Sequence, residues 1–151
     1  MKLVYLMLMT ALCALPAGCG RGTEEVAEPA ETGLGFTEVV DALDLSRPEN
    51  TSLAVRTSWD RINGSSVTWT AEVVDVKGSR NQAVIYCVRN ERPAHGGYNI
   101  IATSPDMQRA GELKRGDSIK IRGNIYRHAG RRGRPIVIYL RDVQILDAGA
   151  T

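Results

Sequence analysis

The chain has 151 residues, of which 43% are hydrophobic and 24% are charged, and its formal net charge is +2. These values suit one small globular domain and exclude a collagen, a coiled coil or a wholly disordered chain. The hydrophobic residues are unevenly distributed, because positions 1–18 hold 14 of them and three of the four methionines. The N-terminal segment and the rest of the chain therefore need separate interpretation.

The first 18 residues have the pattern of a secretory signal peptide. Lys2 supplies a positive charge, residues 3–15 form an apolar run broken only by Thr10, and Pro16-Ala17-Gly18 ends that run with a turn former and two small residues. The run is too short to cross a membrane, because the hydrocarbon core requires about 20 apolar residues. We therefore predict that residues 1–18 direct export and are removed.

The segment Leu15-Pro16-Ala17-Gly18-Cys19 resembles the bacterial lipoprotein signal, in which small residues precede a cysteine that is linked to diacylglycerol and then acylated. It departs from that pattern because its leucine lies four residues before Cys19 rather than three, with Pro16 between them. The resemblance implies lipidation of Cys19, with palmitate as a typical acyl chain. It also implies an exported protein that faces the periplasm from the cell membrane or the outer membrane. The alternative is ordinary signal peptidase cleavage near Ala17 or Gly18.

The number and positions of the cysteines bear on whether Cys19 is lipidated. Cys13 lies in the removed segment, so the mature chain retains Cys19 and Cys87. If Cys19 is acylated, Cys87 has no partner and a disulfide framework is excluded. The alternative, a Cys19–Cys87 bridge, would join a flexible terminus to a strand. Cys87 itself lies in the apolar run 83–88, which favours a small buried hydrophobic residue over a reactive thiol.

Residues 19–35 are interpreted as the lipidated cysteine followed by a tether. The segment is rich in glycine and glutamate and has few large apolar side chains, so it cannot bury enough surface to offset the entropy of ordering. Its acidic residues repel one another and favour an extended chain. We interpret it as a spacer between the membrane and the folded domain.

Residues 36–63 are predicted to form a short helical segment, because apolar side chains recur at helical spacing. Thr37 is the predicted N-cap of the first helix, and Gly64 is the stop signal after a second helix within residues 50–63. Trp59 is expected to pack onto the sheet that follows, with stacking on a ligand as the alternative. The predicted inward positions are Val39, Val40, Leu43, Val55, Trp59 and Ile62.

From residue 64 to residue 147 apolar and polar residues alternate, which predicts a strand-rich unit. Phase shifts near the end of the first strand and at Asp142 predict bulges, and Gly123 predicts a bend in the fourth strand. A short helical or turn segment is expected to begin at Ser104 or Pro105. The predicted strands span residues 67–76, 83–89, 98–103, 118–127 and 135–146, and the predicted connections span residues 77–81, 90–97, 104–113 and 128–134.

Five strands with a helical link between the third and the fourth resemble the OB-fold, an oligonucleotide- and oligosaccharide-binding barrel. The resemblance lies in residues 67–76 as the first strand, residues 113–125 as the link into the fourth, and residues 138–143 in the fifth. More narrowly, the chain resembles the tRNA-anticodon-like OB-fold family, which includes small bacterial lipoproteins. The fold implied is a mainly β, five-stranded Greek-key barrel preceded by a short helical segment.

OB-folds bind ligands through one sheet face and through the loops that join strands one to two and four to five. The second of these loops is strongly basic in this chain, and arginine offers paired donors to phosphate or carboxylate groups. The resemblance therefore implies a site for an anionic ligand or an acidic protein, or a contact with anionic lipid headgroups. The alternative is a solvated hairpin tip. The candidate ligand-binding residues are Tyr126, Arg127, His128, Arg131, Arg132, Arg134 and Tyr139.

A catalytic function has little support in the sequence. Its two histidines, His95 and His128, are both expected in exposed glycine-containing loops, and no motif for a metal ligand set or a nucleophile is present. We therefore expect no catalytic residues, no metal and no cofactor. Enzymatic activity is the least supported of the functional hypotheses. The sequence predicts a monomeric, membrane-anchored envelope lipoprotein that serves as a binding or structural module. The alternative is a single-stranded nucleic-acid-binding protein, which an exported location disfavours.

Overall fold

The computed structural model describes residues 33–90, 97–130 and 134–149. The predicted signal peptide (residues 1–18), most of the predicted tether, and Cys19, His95, Arg131 and Arg132 lie outside these ranges. Three helices and five strands are present in the described ranges. In chain order they are α1 (Phe36–Leu43), α2 (Ser52–Ile62), β1 (Ser66–Ser79), β2 (Gln82–Val88), β3 (Ile100–Ser104), α3 (Met107–Gly111), β4 (Ser118–Ala129) and β5 (Val137–Gly149).

Helix α1 buries one side, because Phe36, Val39 and Leu43 recur at helical spacing and are all nearly inaccessible to solvent. The prediction that Thr37 caps this helix is wrong. The N-cap is Gly35, and no side chain caps the helix there. The helix begins two residues earlier than predicted, at Phe36, whose ring packs edge-on against Trp69 with 5.2 Å between centroids.

Helix α2 lies within the predicted range and has a defined signal at each end. The Thr51 hydroxyl accepts a hydrogen bond of 3.2 Å from the Ala54 backbone N–H, which is N-cap geometry. Asn63 ends the helix, and Gly64 follows with a φ of +85°, a conformation that favours glycine. The predicted stop signal is therefore confirmed.

The five strands form a closed barrel in the order β1-β2-β3-β5-β4. Only the β3–β5 pair among these neighbours is parallel, and the other four are antiparallel. Strand β1 closes the barrel because its first half pairs with β4 while its second half pairs with β2. Closure leaves no long unpaired sheet edge. The prediction of a mainly β, five-stranded OB-fold-like barrel preceded by a short helical segment is confirmed.

Three predicted irregularities curve the strands. The β1–β2 register shifts between Val73 and Asp75, which is a bulge in the first strand. Asp142 has a φ of +54° where β5 changes phase. A Cβ atom on Gly123 would lie only 2.7 Å from Val143 Cγ2 and 3.2 Å from the Arg141 carbonyl oxygen. Glycine is required there because β4 passes too close to β5 to admit a side chain.

Two connections differ from the prediction. Strand β1 continues to Ser79, so the first hairpin turns through only two residues, of which Arg80 has a φ of +54°. Helix α3 is capped by Asp106, whose carboxylate accepts a 2.9 Å hydrogen bond from the Arg109 backbone N–H, and not by Ser104 or Pro105. Ser104 belongs to β3 instead. Its buried hydroxyl donates a 2.8 Å hydrogen bond to the Val143 carbonyl.

A single hydrophobic core joins the helical segment to the barrel. Trp69 is the largest of the fully buried side chains, and its indole Nε1–H donates a 2.8 Å hydrogen bond to the Leu34 carbonyl oxygen. Helices α1 and α2 thus pack where β1 begins, whereas α3 lies near Gly78 where β1 ends. In the part of the chain that the structure describes, no helix is both long enough and apolar enough to span a membrane.

Candidate functional site

The hairpin formed by β4 and β5 presents polar and aromatic side chains on its outer face. Its inward residues, including Ile125, Ile138 and Leu140, are completely buried. The outward residues are paired across the two strands, with Arg127 opposite Tyr139. A register shift between Ile125 and Arg127 leaves both Tyr126 and Arg127 exposed. The bulge therefore adds one aromatic side chain to this outer face.

Four of these side chains form a continuous stack, which we call the Arg–Tyr ladder: Arg127, Tyr139, Tyr126 and Arg141. The Arg127 Cζ atom lies 5.0 Å from the Tyr139 ring centroid. The Tyr139 and Tyr126 rings are 6.2 Å apart and cross at 75°. The Arg141 Cζ atom lies 5.9 Å from the Tyr126 ring centroid. Both cations are within the distance at which the negative ring face attracts them.

This arrangement orients the two guanidinium groups without neutralising them. A guanidinium that lies over a ring keeps N–H donors in its own plane, and these can bind a carboxylate or a phosphate. Arg141 Nε is 3.8 Å from an Asp142 carboxylate oxygen, but both side chains are mostly exposed, so the pair is weak. Within the described residues, no ion pair involves Arg127. The ladder can therefore attract an anion.

The surrounding sequence adds positive charge. Residues 121–141 contain six arginines and no aspartate or glutamate. Arg134 is exposed beside a cleft of about 330 Å³ that is also lined by Ala129, Gly130, Pro135 and Val137. The structure therefore brings Tyr126, Arg127 and Tyr139 together. It places Arg134 at the tip of the same hairpin, and Arg131 and Arg132 are outside the described residues.

His128 does not lie in an exposed loop, so that prediction is wrong. It belongs to β4, is paired with Ile138 on β5, and packs against Trp59 with 4.6 Å between ring centroids. Desolvation in this half-buried position lowers the pKa of the imidazole. His128 therefore joins the hairpin to α2. The predicted packing of Trp59 onto the sheet is confirmed.

Arg141 and a row of side chains beyond the hairpin also belong to this surface, although the sequence did not predict them. Tyr86 on β2 is in register with Ile101 on β3, and Ile101 is in register with Tyr139 on β5. Tyr98 packs edge-on against Tyr86 with 5.0 Å between centroids. The outer face of β2 and β3 is therefore aromatic and apolar where it meets the ladder. Period-two alternation within each strand indicates which side chains face outward. The order of the strands in the barrel, which alternation does not specify, makes these residues neighbours.

Cys87 is completely buried, and burial raises the pKa of its thiol to about 12. A thiol that stays protonated is a poor nucleophile, so the prediction of a small buried hydrophobic residue is confirmed. Among the residues that the structure describes, no group of three or more His, Cys, Asp or Glu side chains could hold a metal ion.

Two other clefts lie away from the ladder. One, of about 230 Å³, separates α1 from α2 and is lined by residues that include Glu38, Ala42, Ser58 and Arg61. The other, of about 270 Å³, is a polar depression on the barrel wall. Its lining residues are Thr70, Ala71, Glu72, Val88, Arg89, Asn90 and Ser118.

The fold therefore defines this chain as a small OB-fold-like barrel protein. Among solved structures it is similar to OBody NL8 bound to hen egg-white lysozyme, with 20% identity and a TM-score of 0.38, covering 56% of this chain and 96% of that chain. A second OBody bound to hen egg-white lysozyme has 18% identity and a TM-score of 0.41, covering 59% of this chain and 88% of that one. No protein-family model and no curated protein match the sequence.

Proposed function

We propose that this protein is an exported bacterial envelope lipoprotein whose barrel is a binding module for an anionic partner. The observation that carries the binding proposal is the Arg–Tyr ladder, in which two exposed guanidinium groups are held on tyrosine rings. Stacking restricts the arginine side chains before a partner arrives, so less conformational entropy is lost on binding. An acidic protein or an anionic ligand would therefore bind here.

The anchor is the second part of the proposal. The segment that ends at Cys19 resembles a lipoprotein signal, and we propose that acylated Cys19 holds the protein on the periplasmic side of the cell membrane or the outer membrane. Two or more acyl chains hold a protein on a bilayer far more stably than one chain does. We also propose that the barrel is a member of the tRNA-anticodon-like OB-fold family, which the sequence resembles.

We further propose a non-enzymatic role. The ladder consists of arginines and tyrosines, and a guanidinium stays protonated at any physiological pH, so it binds charge rather than transferring protons. His128, which follows Arg127 in β4, packs against Trp59. Binding without a cofactor and as a monomer is the simplest function for this surface.

The anchor is tested by growing cells with labelled palmitate and comparing wild type with Cys19→Ser. We expect label and the added mass of acyl chains in the wild-type protein only, and sensitivity of its processing to globomycin. Processing that ignores globomycin, together with a mature mass without acyl chains, would contradict the anchor. It would favour ordinary signal peptidase cleavage near Ala17 or Gly18.

The binding module is tested with the lipoprotein in detergent and fluorescent poly-L-glutamate as an anionic probe. We expect binding that weakens as salt increases, and a large loss of affinity in the double variant Arg127→Gln/Arg141→Gln. The matched control, Arg56→Gln/Arg115→Gln, removes the same charge from exposed arginines elsewhere and should retain most of the affinity. Equal affinity losses in the two double variants would refute a specific role for the ladder.

The second candidate function is binding of single-stranded nucleic acid. One observation favours it: the aromatic and apolar row of Tyr86, Ile101 and Tyr139 adjoins the arginines, and bases stack on aromatic rings. An oligodeoxythymidylate used as the probe in the same assay separates the two functions. Tighter, steeply salt-dependent binding of the oligonucleotide would favour this candidate, whereas no binding at low salt would remove it.

A further inference from the structure

We propose that the anionic partner of the ladder is the phospholipid surface of the membrane itself. This inference rests on the proposed function, because it requires both the lipid on Cys19 and an anion-binding ladder. In this arrangement the hairpin of β4 and β5 lies against anionic headgroups. The anchored barrel then has a defined orientation on the bilayer.

The shape of the surface favours a flat partner. The ladder lies on the outer face of a two-stranded hairpin, and the inner residues of that hairpin fill the barrel core. Neither Tyr126 nor Arg141 lines any of the three clefts described above. A ladder on an outward-facing strand surface is suited to a bilayer plane rather than to enclosing a small ligand.

The chemistry of the surface also fits the membrane interface. Tyrosine is enriched at the headgroup level, where its ring is apolar and its hydroxyl is hydrated. Tyr126 is 38% exposed and is one of three exposed large hydrophobic side chains among the residues that the structure describes. Each arginine near an anionic leaflet favours association by about fivefold. In the ladder the two tyrosine rings lie between the two arginines, so one surface supplies both contributions.

The charge distribution gives the domain a preferred side. Residues 121–141 carry six arginines and no acidic residue. Residues 33–62, which include α1 and α2, carry five acidic residues and three arginines. An anionic membrane attracts the first region and not the second, so the electrostatic attraction is to the hairpin.

The tether is long enough for this contact and short enough to promote it. Thirteen residues separate Cys19 from Gly33, and the connection can span at most about 50 Å when fully extended. An anchored domain that cannot leave the surface meets it at a high effective concentration. Weak attraction by a few arginines therefore suffices for docking.

The test uses lipidated protein in vesicles and a fluorophore that a lipid-attached quencher reaches only at the membrane surface. One label is placed at Gln144→Cys, which is exposed opposite Arg122 on the hairpin, and the control label at Leu53→Cys, which is 73% exposed on α2. Cys87 is buried and Cys19 is acylated, so neither takes up the label. Vesicles consist of phosphatidylcholine with or without phosphatidylglycerol.

With phosphatidylglycerol present, we expect quenching at Gln144→Cys to exceed quenching at Leu53→Cys by severalfold. The difference should disappear in pure phosphatidylcholine, at high salt and in Arg127→Gln/Arg141→Gln, and should persist in Arg56→Gln/Arg115→Gln. Equal quenching at the two labels, or a difference independent of phosphatidylglycerol, would overturn membrane docking.

Failure of the inference is distinguishable from failure of the proposed function. A protein that is not lipidated does not enter vesicles of either composition, which defeats the anchor. A protein that enters vesicles, shows no difference between labels and still binds polyglutamate or oligodeoxythymidylate through the ladder retains the binding module and loses its membrane partner. Either result overturns docking.

Discussion

The two hairpins of the barrel contain the same kind of contact in different electrostatic settings. In the β1–β2 hairpin Lys77 Nζ lies 5.1 Å from the Tyr86 ring centroid, and in the β4–β5 hairpin Arg127 Cζ lies 5.0 Å from that of Tyr139. Lys77 is also 3.6 Å from an Asp75 carboxylate oxygen, so a negative charge lies beside this cation. In the described residues Arg127 has no such carboxylate. The two cations stack on tyrosine rings in the same way, but Lys77 has a carboxylate beside it, whereas the charge of Arg127 is available to a partner.

The Arg–Tyr ladder depends on the curvature that brings β4 against β5. We expect the largest change in stability from a substitution that disturbs this curvature. Gly123→Val places a Cβ atom 2.7 Å from Val143 Cγ2 and 3.2 Å from the Arg141 carbonyl oxygen, which is closer than van der Waals contact. We expect the free energy of unfolding to fall by about 1–3 kcal/mol, as overpacking usually costs. Urea denaturation measures this loss.

Gly111→Ala in α3 is the control for that experiment, because nothing lies within 4 Å of the added methyl group. Its unfolding midpoint should be unchanged or slightly raised, since alanine favours a helix more than glycine does. Similar losses in the two variants would show that β4 and β5 do not approach as closely as described.

A second experiment compares the two hairpins directly. Arg127→Gln/Arg141→Gln should weaken poly-L-glutamate binding by roughly 10-fold or more, because each arginine near an anionic surface contributes about 1 kcal/mol. Lys77→Gln should change the affinity by less than about twofold, because the Asp75 carboxylate beside that lysine disfavours an anionic probe there. Fluorescence anisotropy measures both. A comparable effect of Lys77→Gln would erase the distinction between the hairpins.

A third, smaller effect concerns the attachment of the helical segment to the β4–β5 hairpin. Trp59→Ala removes the ring that packs on His128 and should lower the free energy of unfolding by about 1–2 kcal/mol, which includes an aromatic pair contribution of about 0.5–1.5 kcal/mol. Trp59→Phe keeps an aromatic ring and should recover most of the loss. If both variants unfold like wild type, the contact does not hold α2 to the barrel.

The smallest effect is a pH dependence due to His128. Burial lowers the pKa of His128 below its value in the unfolded chain, so the unfolded state binds more protons as the pH falls. The stability that the neutral imidazole contributes is therefore fully present above the pKa of the unfolded chain, about 6.5. It is lost as the pH falls through the lower pKa of the folded protein. His128→Gln should flatten this part of the stability curve measured by urea denaturation. A curve identical to wild type would rule out His128 as the cause.

The sequence predicted the strands of the barrel well because alternation is a local property. Ile119, Ile121 and Ile125 were predicted inward and are completely buried, and Gly123 bends the strand as expected. The helix caps were predicted less well. Thr37 has the right chemistry, but the packing of Phe36 on Trp69 moves the start of α1, and this contact joins distant parts of the chain.

The candidate site was predicted only in part, for the same reason. Tyr126, Arg127 and Tyr139 are close in sequence to the hairpin tip, so composition identified them. Arg141 joins the ladder through a bulge, and Tyr86 joins the neighbouring row through the strand order, neither of which local patterns specify. His128 was misplaced because glycines on both sides of the tip suggested a loop, whereas β4 continues to Ala129.

The most direct test of the ladder as a binding surface is photo-crosslinking in the native envelope. A photoreactive amino acid at Gln144 should give crosslinks to phospholipid that fall sharply in Arg127→Gln/Arg141→Gln and persist in Arg56→Gln/Arg115→Gln, and the same group at Leu53 should give few. No crosslinks at Gln144, or crosslinks equally abundant with and without the two ladder arginines, would contradict the account.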